Sequence, residues 1–385
     1  MSPRRIGLGV VLASTMAVAT FSPSLFSILA TTLRAEFGVA RWQIGALVTV
    51  VMGTGALVSP LVGSAVDRVL PRHATALTLV VAGTSFLGLS LAPGYLWLAG
   101  AALVGGLGQA LSNPSTNRLI MVQAEVGRRG FLTGIKQAGV QAGTFFGGIL
   151  LPIGAASRLG WRGSVAMIPL VSIFGLFVLW LLVRGRPPTP VKAQTSTLVS
   201  TGPVIMRLAW FAGVLGLATG SLMTYLPSFA EETFSWSPTA AGALVAVYGG
   251  IGFLARLTAG PISERWVGHH RTLVAMALAT AAAGVALALA PSGGWLWPVA
   301  VLVGIGPMAW NVIANLAVME LSPEGGAGRG SGVMMAGFLG GVATGAPLLG
   351  LSVDLLGTYR PGWVAVAFLG VVAAWIGRLV RAPTV

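Results

Sequence analysis

The chain of 385 residues contains no cysteine and very few charged side chains. The absence of cysteine excludes disulfide bonds and thiol chemistry. Only 8% of the residues are Asp, Glu, Lys or Arg, whereas about a quarter are charged in soluble globular domains. Acidic residues are especially scarce, with 9 Asp and Glu against 23 Lys and Arg. This composition is not that of a soluble domain.

Apolar residues make up 55% of the chain, its mean hydropathy is +0.87, and 55 residues are glycine. Apolar runs of about twenty residues, the length that crosses a bilayer, follow one another along the sequence. Small residues fit this picture because they let helices pack closely in lipid. The net charge of +14 does not indicate nucleic-acid binding, since the basic residues are scattered between apolar runs and form no stripe.

Twelve membrane-spanning helices are predicted. They cover residues 7–33, 43–65, 74–92, 95–122, 131–155, 163–183, 207–229, 239–262, 272–290, 295–319, 329–352 and 360–380. The first run could be a signal peptide, but eleven further runs follow it, and we interpret it as the first span. Most basic residues between the spans fall on one side, which the positive-inside rule places in the cytoplasm together with both termini.

The two halves of the sequence repeat each other. GSAVDRVLPRH at 63–73 returns as GPISERWVGHH at 260–270, an offset of 197 (260 − 63). Further pairs lie at an offset of 198 (311 − 113), namely Asn113 and Asn311, Asn117 and Asn315, Gly134 and Gly332, Gly143 and Gly341, Gly147 and Gly345. We therefore predict an all-α membrane protein with an N-terminal six-helix bundle (1–183), a cytoplasmic linker (184–206) and a C-terminal six-helix bundle (207–385) in parallel repeat.

The repeated turn resembles the loop 2–3 signature of the major facilitator superfamily, which is Gly, three residues, Asp, Arg, one residue, Gly, one residue and two basic residues. The matching residues are Gly63, Asp67, Arg68, Arg72 and His73 in the first copy and Gly260, Glu264, Arg265, His269 and His270 in the second. Leu70 and Val267 depart from the expected Gly. The resemblance implies two pseudo-symmetric bundles with alternating access.

The resemblance also implies that the acid and Arg of each turn latch the cytoplasmic ends of neighbouring helices. Glu125 is a candidate partner in the first half, and Glu320 or Glu324 in the second. The alternative is that the basic residues of these turns only fix the orientation in the membrane.

A narrower resemblance links RRGFLTGIKQAGVQAG, at 128–143, to bacterial facilitators near the nitrate, cyanate and organic-anion carriers. Arg256 on span 8 is similar to a substrate-linked Arg of monocarboxylate and oxalate carriers. Span 11 lacks the Lys of oxalate carriers, which argues against an oxalate-type site. The span-5 glycines partly match the antiporter motif of drug exporters, and a multidrug or amphiphile exporter is therefore the alternative.

Three cations fall inside predicted spans, Arg118, Lys136 and Arg256, while no Asp or Glu does. A cation at the bilayer centre costs roughly 2.5–3.5 kcal/mol on insertion scales. Their excess favours an anionic solute as counter-ion. The alternative is snorkelling of the long side chains to the interface, and Arg118 has Glu125 as a further candidate partner.

Polar side chains repeat at helical spacing on spans 4, 5 and 10, and aromatic side chains on spans 7 and 10 could add walls. The candidates for lining a solute cavity are Gln109, Asn113 and Asn117 on span 4, Gln137 and Gln141 on span 5, Tyr225 on span 7, and Trp310, Asn311 and Asn315 on span 10. The family resemblance places spans 1, 4, 7 and 10 around the cavity. The alternative role for these groups is interhelical hydrogen bonding, worth about 0.6 kcal/mol each.

We predict a secondary active transporter of the cytoplasmic (inner) membrane. Its solute is a small organic or inorganic anion, bound between Asn113/Asn117 and Asn311/Asn315 with charge from Arg256 and Lys136. A coupling proton or a counter-transported anion completes the list of expected partners, and the chain is expected to act as a monomer without cofactor or metal. A membrane enzyme and a non-transporting receptor are remote alternatives, since no span holds groups for acid–base catalysis.

Overall fold

The computed structural model describes residues 3–66, 68–124, 128–183, 203–321 and 327–380. These residues form helices and short connections, and no strand occurs among them. Eleven helices are long and apolar enough to cross a membrane, and there are 12 such spans if a bent pair near the amino end counts as one. The predicted all-α membrane fold is confirmed.

The helices are numbered by the span to which they belong. Spans 1 to 6 consist of Pro3–Ala19 with Ser22–Ile28 and Ala30–Phe37, then Arg41–Val66, Pro71–Ser90, Tyr95–Gln123, Arg129–Ala156, and Gly160–Met167 with Pro169–Leu182. Spans 7 to 12 consist of Pro203–Phe234, Pro238–Ile262 with the π-helical Ser263–Val267, His269–Leu289, Leu296–Ile305 with Trp310–Leu321, Ala327–Leu356, and Arg360–Arg378.

The contacts divide the chain into two compact units. The first contains residues 1–39 and 50–193, and the second contains residues 40–49 and 194–385. The beginning of span 2 therefore groups with the second unit, which the predicted boundaries did not anticipate. Of the predicted linker at 184–206, residues 184–202 lie outside the described part of the chain, and the helix of span 7 already begins at Pro203.

Helix packing within the units repeats as the sequence does. In the first unit, span 1 packs against spans 5 and 6, and span 3 packs against spans 4 and 6. In the second unit, span 7 packs against spans 11 and 12, and span 9 packs against spans 10 and 12. Each of these pairs in the first unit has its counterpart six spans later in the second, as expected for a duplicated bundle.

The repeated glycines explain part of this packing. A Cβ at Gly143 on span 5 would lie 2.9 Å from the carbonyl oxygen of Ala17 on span 1. A Cβ at the corresponding Gly341 on span 11 would overlap the carbonyl oxygen of Gly213 on span 7. Backbones approach this closely only where side chains are absent. The repeat therefore preserves a point of backbone contact between the first and fifth helix of each half.

Spans 1, 6 and 10 are each divided into separate helices. Span 1 bends by 52° between Ala19 and Ser22, where Pro23 enters the next helix. Span 10 is interrupted between Ile305 and Trp310, and this interruption contains Pro307. Proline lacks the N–H that an interior helical bond needs and its ring clashes with the preceding turn. The prediction that prolines are tolerated inside spans holds elsewhere, since Pro114, Pro152, Pro227 and Pro347 lie within helices.

Acidic residues lie in helices that continue beyond the predicted ends of spans 7 and 11. The helix of span 7 continues to Phe234 and includes Glu232, and the helix of span 11 continues to Leu356 and includes Asp354. Backbone hydrogen bonding continues a helix beyond its apolar stretch. Hydropathy alone therefore predicts the end of the helix too early. The acids stand in the last turns of their helices.

Candidate functional site

Lys136 on span 5 is buried in the first unit, with only 1% of its surface exposed. Its Nζ donates a hydrogen bond to Asn117 Oδ1 on span 4, at 2.6 Å. An ammonium group has three donors, and in the described residues its hydrogen bond goes to this neutral amide. The predicted pair of candidate residues is thus brought into direct contact, and the positive charge of Lys136 has no carboxylate beside it in the part of the chain that is described.

Further amide side chains lie on spans 4 and 5 of the first unit. Asn113 lies one turn before Asn117 on the same exposed face of span 4. Gln137 is partly buried and Gln141 is 2% exposed on span 5. On span 4, Gln109 donates to the Met52 sulfur, while its buried Oε1 has no partner among the described residues. The first unit therefore holds a cation among neutral amides.

Arg118 has a different environment. Its guanidinium donates to the carbonyl oxygen of Val66, the last residue of the span-2 helix. A cation at a helix C-terminus is favourable because the terminal carbonyls carry partial negative charge. The predicted alternative partner, Glu125, lies outside the described residues. The contact favours a structural role for Arg118, and its role in solute binding stays a prediction.

Arg256 on span 8 belongs to the second unit and is tied to the interruption of span 10. Its Nε donates to the carbonyl oxygen of Met308 at 2.7 Å. Breaking a helix inside a membrane frees carbonyl groups that need other donors, and Arg256 supplies one. No described residue accepts a hydrogen bond from its two terminal nitrogens, and solute binding by Arg256 stays a prediction.

The two asparagines of span 10 lie in the helix that begins after the interruption. Asn315 Nδ2 donates to the carbonyl oxygen of Asn311 at 2.7 Å. The Oδ1 atom of Asn311 is buried and has no partner among the described residues. A buried acceptor without a donor is costly, so a solute or a water molecule carrying a donor would be favoured beside it.

The two predicted aromatic walls are packed inside the second unit. Trp310 is 1% exposed, and its ring lies 4.9 Å from that of Phe338 and 6.0 Å from that of Phe211. Tyr225 is also 1% exposed, and its hydroxyl donates to the Arg41 carbonyl oxygen at 2.7 Å. This packing favours structural roles, and contact of either ring with a solute stays a prediction.

The predicted latch residues are only partly described. Asp67, Glu125 and Glu324 lie outside the described residues. The helix backbone is described at Gly63 and Glu320, but the burial of these two residues is not. Arg68 is exposed, and the Arg72 guanidinium lies 3.7 Å from the ring centre of Trp180 on span 6. In the second copy Gly260 is buried, whereas Glu264 and Arg265 are exposed on the π-helical turn. An acid–Arg latch at either turn stays a prediction.

Sequence reasoning missed an ion network around Arg41 in the second unit. Arg41 Nη2 and Nε donate to Glu232 Oε2, at 2.6 and 3.0 Å, and Nη1 donates to Asp354 Oδ1 at 3.1 Å. Tyr359 donates its hydroxyl to the same Glu232 oxygen at 3.1 Å. Burial raises the pKa of the Tyr359 phenol, so the phenol stays protonated as a donor. The predicted topology places Arg41, Glu232 and Asp354 on the same, non-cytoplasmic side of the membrane. That shared side was the one sign in the sequence that they could meet.

A related cluster closes the same end of the first unit. Glu36 accepts from the indole N–H of Trp161 and pairs with Arg162. Arg162 also donates to the carbonyl oxygen of Ala92 at 2.8 Å. It thus links the start of span 6 to the end of span 1 and to the connection between spans 3 and 4. Each unit thus has an acid near the end of its first span that is held by an aromatic donor and an arginine.

Comparison with known proteins agrees with this architecture. A 2-nitroimidazole transporter of Escherichia coli (strain K12) is 26% identical over 393 residues, covering 96% of this chain and 93% of that protein. The fold is similar to that of a bacterial homologue of the human lysosomal transporter Spinster in an inward-facing and occupied conformation, with TM-score 0.79, 18% identity and full coverage of both chains. It is also similar to the nucleoside transporter NupG, with TM-score 0.78 and 13% identity over 99% of this chain and 100% of that one.

The family model of the Major Facilitator Superfamily matches residues 11–346, which is most of the chain. The membrane-spanning helices, the packing repeated six spans apart and the small-solute transporters among its relatives agree with that match. The chain belongs to the Major Facilitator Superfamily and is an integral membrane transporter for a small molecule, not an enzyme.

Proposed function

We propose that the protein is a secondary transporter for a small planar solute that carries negative charge on oxygen, either a full anion or a nitro-substituted heterocycle. The observation that carries the proposal is Lys136, a buried ammonium group whose described partner is the neutral Asn117. A buried charge of one sign is stabilised by a counter-charge. A solute with negatively charged oxygen supplies one without a permanent carboxylate in the protein.

The second unit contains groups of its own that suit such a solute. Arg256 keeps its terminal nitrogens available, and a guanidinium edge fits a planar pair of oxygens with two parallel hydrogen bonds. The buried Oδ1 of Asn311 accepts a hydrogen bond, for which a ring N–H or a hydroxyl is the complementary donor. These groups suit a planar, heteroatom-rich solute.

The nitroimidazole transporter among the relatives is consistent with this chemistry. A nitro group resembles nitrate and carboxylate in being planar and in having partly negative oxygens. The sequence resemblance to nitrate and cyanate carriers and the likeness to a nitroimidazole transporter therefore converge on one recognition problem. Binding oxygen-borne negative charge by Lys and Arg solves it for each of these solutes.

For an anionic solute, direction and coupling follow from its charge. Moving one negative charge into a cell at −100 mV costs about 2.3 kcal/mol. Export of an anion is driven by this potential, while uptake requires exchange or a proton carried with the solute. With both termini cytoplasmic and the chain in the inner membrane, we propose export or exchange. Reporter fusions at each terminus test the orientation.

Flux into proteoliposomes tests the substrate class. The purified protein is assayed with nitrate, cyanate, a monocarboxylate and 2-nitroimidazole, and each is compared with Lys136→Gln and Arg256→Gln. We expect each variant to lose at least about tenfold in transport of the accepted solute, because a hydrogen bond to a charged group is worth about 1.5–3 kcal/mol. Arg271→Gln, which changes an exposed cation at the start of span 9, is the matched control. Normal flux in both variants would refute the charge assignment.

One observation favours the alternative of a drug or amphiphile exporter. The first unit contains a largely apolar cavity of about 410 Å³ along spans 1, 5 and 6, with Phe21, Phe146 and Met167 in its lining. Amphiphiles are the solutes that such a lining accepts. Susceptibility profiling of a deletion strain separates the two functions, since only the exporter function predicts hypersensitivity to uncharged amphiphilic drugs.

A further inference from the structure

Residues 40–49, here called the docking segment, are held on the second unit by more than the ion network. Trp42 donates its backbone N–H to Asp354 Oδ2 at 2.9 Å, so this carboxylate binds both the Arg41 side chain and the first turn of span 2. Thr49 donates its hydroxyl to the carbonyl oxygen of Ala343. The segment thus contacts span 11 along its whole length through specific hydrogen bonds.

Glycines bring the two backbones close together. A Cβ at Gly45 would lie 2.6 Å from the Cα of Pro347, and a Cβ at Gly350 would lie 2.8 Å from the Cα of Trp42. A close fit without side chains can separate and re-form with few rotamer changes. The polar groups of the segment therefore decide how stable the docked state is.

Comparison of the two halves identifies an arginine in the second half, Arg360, whose counterpart in the first half pairs with an acid. Trp161 and Arg162 correspond to Tyr359 and Arg360, each at an offset of 198 (359 − 161, 360 − 162). In the first unit Arg162 pairs with the acid that ends span 1. In the second unit the equivalent acid is Glu232, and it forms its ion pair with Arg41 of the docking segment.

Arg360 is exposed, and its side chain has no hydrogen bond or ion pair with any described residue. It nevertheless lines the same cavity of about 560 Å³ as Arg41 and Glu232. The cavity provides room for the flexible Arg360 side chain to move toward the acid.

We infer that Glu232 exchanges arginine partners during the transport cycle, pairing with Arg41 while the docking segment is bound and with Arg360 when the segment has left. A partly buried charge that loses its partner is strongly unfavourable. The exchange avoids this, because the Glu232 carboxylate is paired with an arginine in both states. Tyr359 remains bonded to Glu232 throughout and holds it in position. Arg360 therefore stabilises the open state of this end of the second unit, as Arg162 permanently stabilises the corresponding end of the first.

The absence of cysteine makes the exchange directly measurable. Ile44 lies in the docking segment and none of its surface is exposed, so Ile44→Cys places the single thiol of the chain where it reacts only when the contacts around the segment open. The rate of maleimide labelling of purified protein in detergent then reports undocking. This measurement needs no substrate, so its outcome is separate from that of the flux assays.

In the Ile44→Cys background we expect Arg41→Gln to label about tenfold faster, since the docked state loses three hydrogen bonds to carboxylates. Arg360→Gln should label at least about threefold more slowly, because only the undocked state loses an ion pair. Arg158→Gln, an exposed cation in the first unit, is the control and should leave the rate unchanged.

The slower labelling of Arg360→Gln is the decisive result. A merely structural Arg360 would leave the rate unchanged or raise it, and either result overturns the exchange. Complete labelling of the Ile44→Cys parent within the dead time, with its melting temperature preserved, also overturns it, because the docked segment would then not be the resting state. The melting temperature of Arg360→Gln should equal that of the parent, since Arg360 bonds no described group while the segment is docked.

Discussion

Replacing Lys136 by Met is expected to stabilise the protein while abolishing transport. A cation in the bilayer interior costs roughly 2.5–3.5 kcal/mol, and the hydrogen bond to Asn117 returns about 1.5–3 kcal/mol of this cost. Methionine removes both contributions at similar volume. The net gain is about 1 kcal/mol, which corresponds to a rise in melting temperature of about 1–3 °C for a chain of this size.

The partner substitution should have the opposite effect. Asn117→Leu leaves the ammonium of Lys136 buried without its acceptor, so the free energy of unfolding falls by about 1.5–3 kcal/mol. The double variant should return to the level of Lys136→Met alone, because Asn117 has no charge to stabilise once Lys136 is gone. Such a cycle isolates the pair from the rest of the bundle.

Thermal unfolding followed by the fluorescence of the 12 tryptophans measures these shifts, and proteoliposome flux measures the loss of transport. Arg118→Met is the matched control, because its guanidinium bonds the Val66 carbonyl and its loss should destabilise. A drop in melting temperature for Lys136→Met as large as that for Asn117→Leu would refute the reasoning. It would mean that the buried charge stabilises the fold instead of awaiting a solute.

Three further tests have predicted outcomes in the same unfolding assay. Gly341→Ala should cost about 1–3 kcal/mol by overpacking a helix contact, whereas Gly332→Ala, with nothing within 4 Å of its Cβ, should gain about 0.5–1 kcal/mol from helix propensity; equal shifts would contradict the packing argument. Tyr225→Phe should cost about 0.5–1.5 kcal/mol by removing one buried hydrogen bond, and no change would show that the bond is unimportant. Arg162→Gln should cost about 1 kcal/mol or less because its ion pair is exposed to water, and Arg158→Gln should cost nothing; a much larger loss would mean that the cluster holds its unit together.

Much of the fold follows from the sequence because hydropathy and the internal repeat act over long segments. The spacing of Gly143 and Gly341 indicated equivalent helices, and both lie at close backbone contacts. The interruption of span 10 was not predicted, because Pro307 alone does not distinguish a kink from a break. That break determines the described partner of Arg256, a backbone carbonyl that no side-chain pattern reveals.

The candidate site was predicted in part. Lys136 and Asn117 were both named from charge and helical spacing, but their direct bond depends on how spans 4 and 5 are rotated, which periodicity does not fix. Arg41 was not singled out from the sequence, because its partners Glu232 and Asp354 are far away in sequence. Pairing between distant charges depends on tertiary structure, and loop-charge counts carry no information on it.

The glycine contacts have a mechanical consequence. Where the carbonyls of spans 1 and 7 touch the Cα atoms of spans 5 and 11, no side chain remains to act as a compressible spacer. The two helices of each pair are therefore expected to move together and to resist sliding past each other. Motion in the transport cycle would be concentrated where helices end or are interrupted, such as the bend before Pro23 and the gap before Trp310.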